Sequence, residues 1–175
     1  RRDGSPYVTH CVAAADISVD MGLDEDSIVA ALLHDVIEDT PHSEDELREM
    51  FGAEVTKLVQ GLTKITDIRE DEFSRVSKNL ARSALSFRNM LLASIEDASV
   101  LVIKLCDRLH NMLTLDALRE DKQKRISEET LVVYAPIAHR LGISSIKNYL
   151  EDLSFKYLMP EEFAQIDRYI NSNDQ

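Results

Sequence analysis

Residues 24–40 read Asp24-Glu25-Asp26-Ser27-Ile28-Val29-Ala30-Ala31-Leu32-Leu33-His34-Asp35-Val36-Ile37-Glu38-Asp39-Thr40, followed by Pro41. Three acidic residues open the stretch, where the positive end of a helix dipole favours them. Ile28, Leu32, Leu33 and Val36 recur at helical spacing, and Thr40-Pro41 closes the run. The spacing predicts one helix through Val36. On such a helix Glu38 lies one turn from both His34 and Asp35, and Asp39 lies one turn from Asp35. Imidazole and carboxylates would then gather at the C-terminal end, where the dipole disfavours anions. A divalent cation would resolve that conflict.

Outward from this stretch the chain reads as helix throughout. It holds 5 Gly and 4 Pro in 175 residues, and hairpin turn signals are absent. A first helix is expected over Tyr7–Asp20, with Val8, Val12, Ala15 and Val19 on one face and Gly22 as its stop. Ser43 and Glu46 form a capping-box pattern for a short helix over Glu44–Met50 that ends at Gly52. Glu54–Leu62 makes another, and the polar stretch between Lys64 and Ser77 is expected to be a loop. Long helices follow over Ser77–Ile95 and Ala98–Leu115. Lys122–Leu141 continues helically with a kink or short break at Pro136. Ser145–Leu158 and Pro160–Ile170 complete an all-α, compact bundle of about eight to ten helices.

Composition narrows the functional classes. Lys and Arg number 20 against 32 Asp and Glu, a net charge of −12. So acidic a surface repels phosphate backbones, which argues against a general nucleic-acid binder. An anionic ligand would need a local cluster of Arg, Lys or metal. The 44% apolar content suits a folded core, and no apolar run approaches the ~20 residues of a membrane span. Cys11 and Cys106 are too few for a disulfide framework, and a cytoplasmic setting is the expectation.

Two further segments sharpen the metal reading. Tyr7-Val8-Thr9-His10 places a His on the first helix. Lys104-Leu105-Cys106-Asp107-Arg108-Leu109-His110-Asn111-Met112 places an Asp after Val100, Leu101, Val102, Ile103 and Leu105. An ionised Asp in apolar surroundings needs a partner, and a metal is one of few adequate ones.

A His, a later His-Asp pair and a distant Asp resemble the pattern of HD-superfamily metal phosphohydrolases. Fuller strings narrow the likeness: Arg1-Arg2-Asp3-Gly4-Ser5-Pro6-Tyr7-Val8-Thr9-His10, Ala31–Thr40, Gly61-Leu62-Thr63-Lys64, the segment 104–112, and Tyr134-Ala135-Pro136-Ile137-Ala138-His139-Arg140-Leu141-Gly142. Together they resemble the hydrolase domain of RelA/SpoT homologues, enzymes of guanosine tetra- and pentaphosphate turnover. The resemblance covers nearly the whole chain and is weakest between Thr66 and Ser77. It implies an HD-domain fold over residues 1–142. Residues 143–175 would be helices leading toward a synthetase domain, with upstream sequence missing before Arg1.

The same resemblance implies that His10, His34, Asp35 and Asp107 hold one divalent metal, typically Mn²⁺. Two imidazoles and two carboxylates suit Mn²⁺ or Fe²⁺, with no thiolate to favour a closed zinc site. Such a metal brings a water's pKa from ~15.7 toward ~7. Glu38 and Asp39 match the family's pair that orients and deprotonates that water. The implied reaction is hydrolysis of the 3′-pyrophosphate of (p)ppGpp to GDP or GTP plus pyrophosphate. Arg1 and Arg2 match a basic pair beside the guanine, and Asn111 and Thr114 match residues facing the nucleoside. Lys64 and Arg125 are candidates for phosphate contact. The sequence departs from the family pattern with Arg2 for Lys, Asp3 for Ser and Leu113 for Arg. His110 reads as a support or core residue, Cys106 as core, and His42 as solvated. His139 and Arg140 read as packing the C-terminal helices. Three alternatives stand beside this reading: an HD phosphohydrolase for another nucleotide, a non-catalytic nucleotide-binding module, and a plain helical interaction domain.

Overall fold

A computed structural model of the chain describes residues 4–73, 88, 90, 92 and 97–173. Among the described residues every regular element is helical. The expected helix over Ser77–Ile95 lies mostly outside them, although Arg88, Met90 and Leu92 are helical. The chain divides into two compact units, one extending to His110 and one from Asn111 onward.

In the first unit α1 spans Val8–Asp20 and stops at Gly22, whose φ of 73° a residue with a side chain rarely adopts. Its orientation differs from the sequence expectation. Val8, Val12 and Val19 are largely exposed, and the buried face is His10, Ala14, Ala15 and Ser18. α2 spans Glu25–Leu32 and begins with the Asp24 side chain accepting from Ser27 N–H at 2.9 Å. It buries Ser27, Ala30 and Ala31. Small residues on both buried faces let α1 and α2 pack together.

The helix expected to run on through Val36 is interrupted. Leu33 (φ −103°, ψ 8°) and Asp35 (φ −105°, ψ 4°) leave the α region, and a short α3 follows over Val36–Asp39. In an unbroken helix Ala31 O serves the Asp35 N–H, but here the His34 imidazole takes it at 2.7 Å. Val36 N–H closes a tighter bond to Leu33 O instead, at 2.9 Å.

α4 spans Glu44–Phe51 with the full capping box of Ser43 and Glu46. α5 spans Ala53–Phe73 and corrects the loop expected from Lys64: the helix continues past it because Ile65 extends the buried row of Leu58 and Leu62. α2, α3 and α4 pack against α5. α6 spans Ala98–Leu113, two residues shorter than expected, with a 3₁₀ turn over Leu115–Ala117 beyond it.

In the second unit α7 spans Glu120–Glu129, a π turn covers Thr130–Tyr134, and α8 spans Ala135–Arg140. The break expected at Pro136 is this wide turn, in which Ala135 N–H reaches back five residues to Thr130 O. A proline ring would otherwise collide with the carbonyl four residues before it. α9 spans Ser144–Leu158 and packs against α7, the π turn and α8 through Ile146 and Leu150. α10 spans Pro160–Asn173 and opens on its proline. No helix among the described residues is long and apolar enough to cross a membrane.

Gly61 of α5 lies against Val100 of α6. A Cβ there would stand 2.9 Å from Val100 Cγ2, and Val100 is buried. Gly61→Ala gains about 1 kcal/mol of helix propensity but overpacks a rigid β-branched neighbour, which costs about 1–3 kcal/mol. We expect a net loss of stability, read as a lower urea midpoint; a higher midpoint would contradict the packing.

Candidate metal centre

Three elements of the first unit converge on one point. α1 delivers His10, the broken turn after α2 delivers His34, and α6 delivers Asp107. All three are buried, and one nitrogen or carboxylate oxygen from each lies within 4.8 Å of the others. His10 reaches the interior because Ala14 and Ser18, one and two turns further along, are small enough to bury its face.

The protons of these groups can be assigned from their neighbours. His34 Nδ1 faces only a carbonyl, so it must carry the hydrogen and donate to Ala31 O. The other nitrogen, Nε2, then presents a lone pair. It lies 2.8 Å from Asp35 Oδ2 and 3.8 Å from Asp107 Oδ1, and it is buried without a properly aligned hydrogen-bond partner. A lone pair aimed at two carboxylates is repulsive unless a cation stands among them. A proton or a metal ion meets that need, so these residues fit a divalent cation. Burial alone lowers the His34 pKa, but the Asp35 contact and the Asp107 and Asp35 charges outweigh it and raise it above 6.5.

His10 is arranged the same way. Its Nε2 lies 3.0 Å from Asp107 Oδ1 and its Nδ1 lies 2.7 Å from His110 Nδ1. When His10 donates from Nδ1 to His110, its Nε2 lone pair faces the cluster. His110, expected from its spacing to support rather than to ligate, therefore backs His10 directly.

The carboxylates are strongly held. Burial would raise the Asp107 pKa, yet Lys104 and, when protons occupy the facing nitrogens in place of a metal, the His10 hydrogen bond and the His34 charge hold it well below the ordinary range. Asp35 is also lowered against its burial, by His34 and by the Tyr7 hydroxyl, which donates to it. Tyr7's own partial burial and the facing carboxylates raise its pKa, so the phenol is a neutral donor. Asp35 lies beside His34 but outside the three-residue group.

The remaining expected site residues are distributed as follows. Glu38 and Asp39 are exposed on α3, the turn after His34 and Asp35. Lys64 is exposed on α5. Asn111 and Thr114 are part-buried and Arg125 is exposed, all in the second unit. Arg1 and Arg2, with Asp3, lie outside the described residues. Cys106 is fully buried, which pushes its thiol up to about 11. His42 is exposed, with Nδ1 3.4 Å from Glu46. His139 and Arg140 are exposed at the end of α8 and do not pack the following helices as expected, because Ile137 and Ala138 take the buried positions. Two contacts escaped the sequence reading, Tyr7 to Asp35 and Lys104 to Asp107. The second has a visible signal, a Lys one helical turn before an Asp in an apolar helix.

Comparison with known proteins places this geometry. A family model described as HD domain matches residues 1–144. The chain is 47% identical over 171 residues to a guanosine-3′,5′-bis(diphosphate) 3′-pyrophosphohydrolase of Haemophilus influenzae, covering 98% of this chain and 24% of the relative. It is 49% identical over 174 residues to a GTP pyrophosphokinase of Myxococcus xanthus, with 98% and 22% covered. It is 45% identical over 172 residues to the bifunctional (p)ppGpp synthase/hydrolase SpoT of Escherichia coli, with 98% and 24% covered. The chain thus spans about a quarter of the length of these relatives. A solved structure of a metazoan orthologue of SpoT that hydrolyses ppGpp shares the fold, with a TM-score of 0.58 at 24% identity over 88% of this chain and 82% of that one. With a His-His-Asp cluster at its centre and the family pattern running through residue 144, the chain belongs to the HD domain family.

Proposed function

We propose that this chain hydrolyses the 3′-pyrophosphate ester of (p)ppGpp, releasing pyrophosphate and GDP or GTP, at a centre holding one Mn²⁺. The observation that carries the reading is the buried His34 Nε2, a lone pair aimed at two carboxylates and joined by His10. The 47% identity to a relative named for this hydrolysis supports the substrate. His10, His34 and Asp107 would hold the metal, with Asp35 beside His34 as the fourth donor. This mixed nitrogen and oxygen set without thiolate suits Mn²⁺ better than a structural zinc. When bound, the metal supplies Lewis acidity toward a phosphoryl oxygen and toward water.

The chain's own residues supply the rest. Glu38 and Asp39, exposed carboxylates on α3 shortly after His34 and Asp35, would orient the attacking water and accept its proton. Tyr7 keeps Asp35 in place by a hydrogen bond from a hydroxyl that stays protonated. Against a net charge of −12, substrate phosphates need local cations, a role for Arg1, Arg2, Lys64 and Arg125. Asn111 and Thr114 would face the nucleoside. Residues 1–142 form the hydrolase domain in this reading, and 143–175 lead toward a synthetase domain in the cytoplasmic full-length protein. A relative of similar identity named GTP pyrophosphokinase favours a second reading, in which this region binds the nucleotide without turning it over.

The deciding experiment is product release from ppGpp with and without Mn²⁺, beside dGTP and a cyclic dinucleotide. Metal-dependent pyrophosphate release from ppGpp alone supports hydrolysis; tight binding without turnover favours the second reading. Asp107→Ala is expected to lose both metal binding and turnover. Glu38→Gln should keep the metal and slow turnover by roughly 10²–10⁴-fold, and an unchanged rate would remove Glu38 from the mechanism. Because His34 is raised above 6.5, protons compete with the metal there. Mn²⁺ affinity should therefore fall as pH drops through that raised value, and a pH-independent affinity would argue against His34 as a ligand.

A further inference from the structure

The Asp107 carboxylate divides its oxygens between different partners. Oδ1 lies 3.0 Å from His10 Nε2 and 3.8 Å from His34 Nε2, whereas Oδ2 lies 2.8 Å from Lys104 Nζ. Lys104 sits one turn before Asp107 on α6, and both side chains are about nine-tenths buried. An ammonium is seldom buried this far without a specific partner, because removing it from water is costly.

We propose that Lys104 is a positioning residue for the metal centre: it keeps Asp107 a one-oxygen donor and offsets part of the cluster's negative charge, so that the cation is held less tightly than its donors allow. This rests on the metal-centre reading above. With Oδ2 tied to Lys104, Asp107 cannot turn both oxygens toward the cation. Two imidazoles and two carboxylates sum to −2, and the neighbouring ammonium brings the buried group to −1. A divalent cation beside a buried ammonium is repelled with little solvent screening. Coordination positions that a bidentate Asp107 would fill are left to water and substrate oxygens.

A purely structural Lys104 and a charge-setting Lys104 predict opposite signs. If the ion pair merely held α6 in shape, removing it would loosen the site and weaken metal binding. If it tempers the site, removing it tightens metal binding. The test uses the same 175-residue chain with Lys104→Met, which keeps the stem without the charge, and Lys104→Arg, which keeps the charge. Each metal-free protein is titrated with MnCl₂ while free Mn²⁺ is followed by electron paramagnetic resonance.

Lys104→Met should bind Mn²⁺ roughly tenfold or more tightly than the parent, and Lys104→Arg should stay within about twofold of it. The metal-free melting temperature of Lys104→Met should fall, since Asp107 loses its counter-ion, and Mn²⁺ should raise it by more than in the parent. A Lys104→Met protein that folds only with Mn²⁺ present fulfils the same expectation. Equal or weaker Mn²⁺ binding by folded Lys104→Met overturns the inference, as does a protein that stays unfolded with Mn²⁺, or a Lys104→Arg protein that tightens as much as Lys104→Met. A parent chain that binds no Mn²⁺ overturns the metal-centre reading itself.

Discussion

Asp107 is an anion seated in a helix whose other residues are largely buried and apolar, and its surroundings follow from keeping it charged. It is itself buried, so its charge must be met by Lys104, His10 and His34. Leaving such a charge unpaired would cost about 3–5 kcal/mol. That matches or exceeds what α1 forgoes by leaving its three valines half in solvent, about 1 kcal/mol each. α1 is therefore rotated to send His10 inward, and Val8, Val12 and Val19 face out. At the break after α2, His34 donates from Nδ1 to Ala31 O and turns Nε2 toward the cluster. Helix rotation and the donor cluster are one solution to one electrostatic problem.

Much of the fold was legible because helix ends are decided locally. Asp24, the Ser43 and Glu46 box, Gly22 and Pro160 each act on the backbone within a few residues, and each lies at an observed terminus. What was misread depends on distant partners. The valine row of α1 is a valid helical stripe, yet burial is decided by what must reach Asp107, nearly a hundred residues away. The polar stretch after Lys64 suggested a loop, but Ile65 continues the apolar register of Leu58 and Leu62. The break after α2 had no signal in apolar spacing, which runs on at helical period through Val36.

At the site, residue type and resemblance pointed to His10, His34 and Asp107, which the fold brings together. A cluster of titratable groups in apolar sequence is conspicuous, and only a few cations can make it tolerable. Asp35 is less simply placed, shared between His34 and the Tyr7 hydroxyl. Tyr7 was hidden by an ordinary role: an aromatic at the start of a helix suggests packing, not a hydrogen bond to a carboxylate 28 residues on. Exposed cations such as Lys64 and Arg125 carry no comparable signal, since solvated charge leaves no constraint for the sequence to record.

The wide turn over Thr130–Tyr134 carries a consequence for heredity. Its five-residue reach inserts one position beyond what a regular helix needs, which turns everything after it by about 100°. The polar α7 thereby passes into α8, where Ala135, Ile137 and Ala138 are all buried. The extra residue also removes the collision that Pro136 would suffer in a regular ladder. Insertion and proline are thus a matched pair: a descendant that loses the added position must also replace the proline, and one that keeps the proline must keep the length.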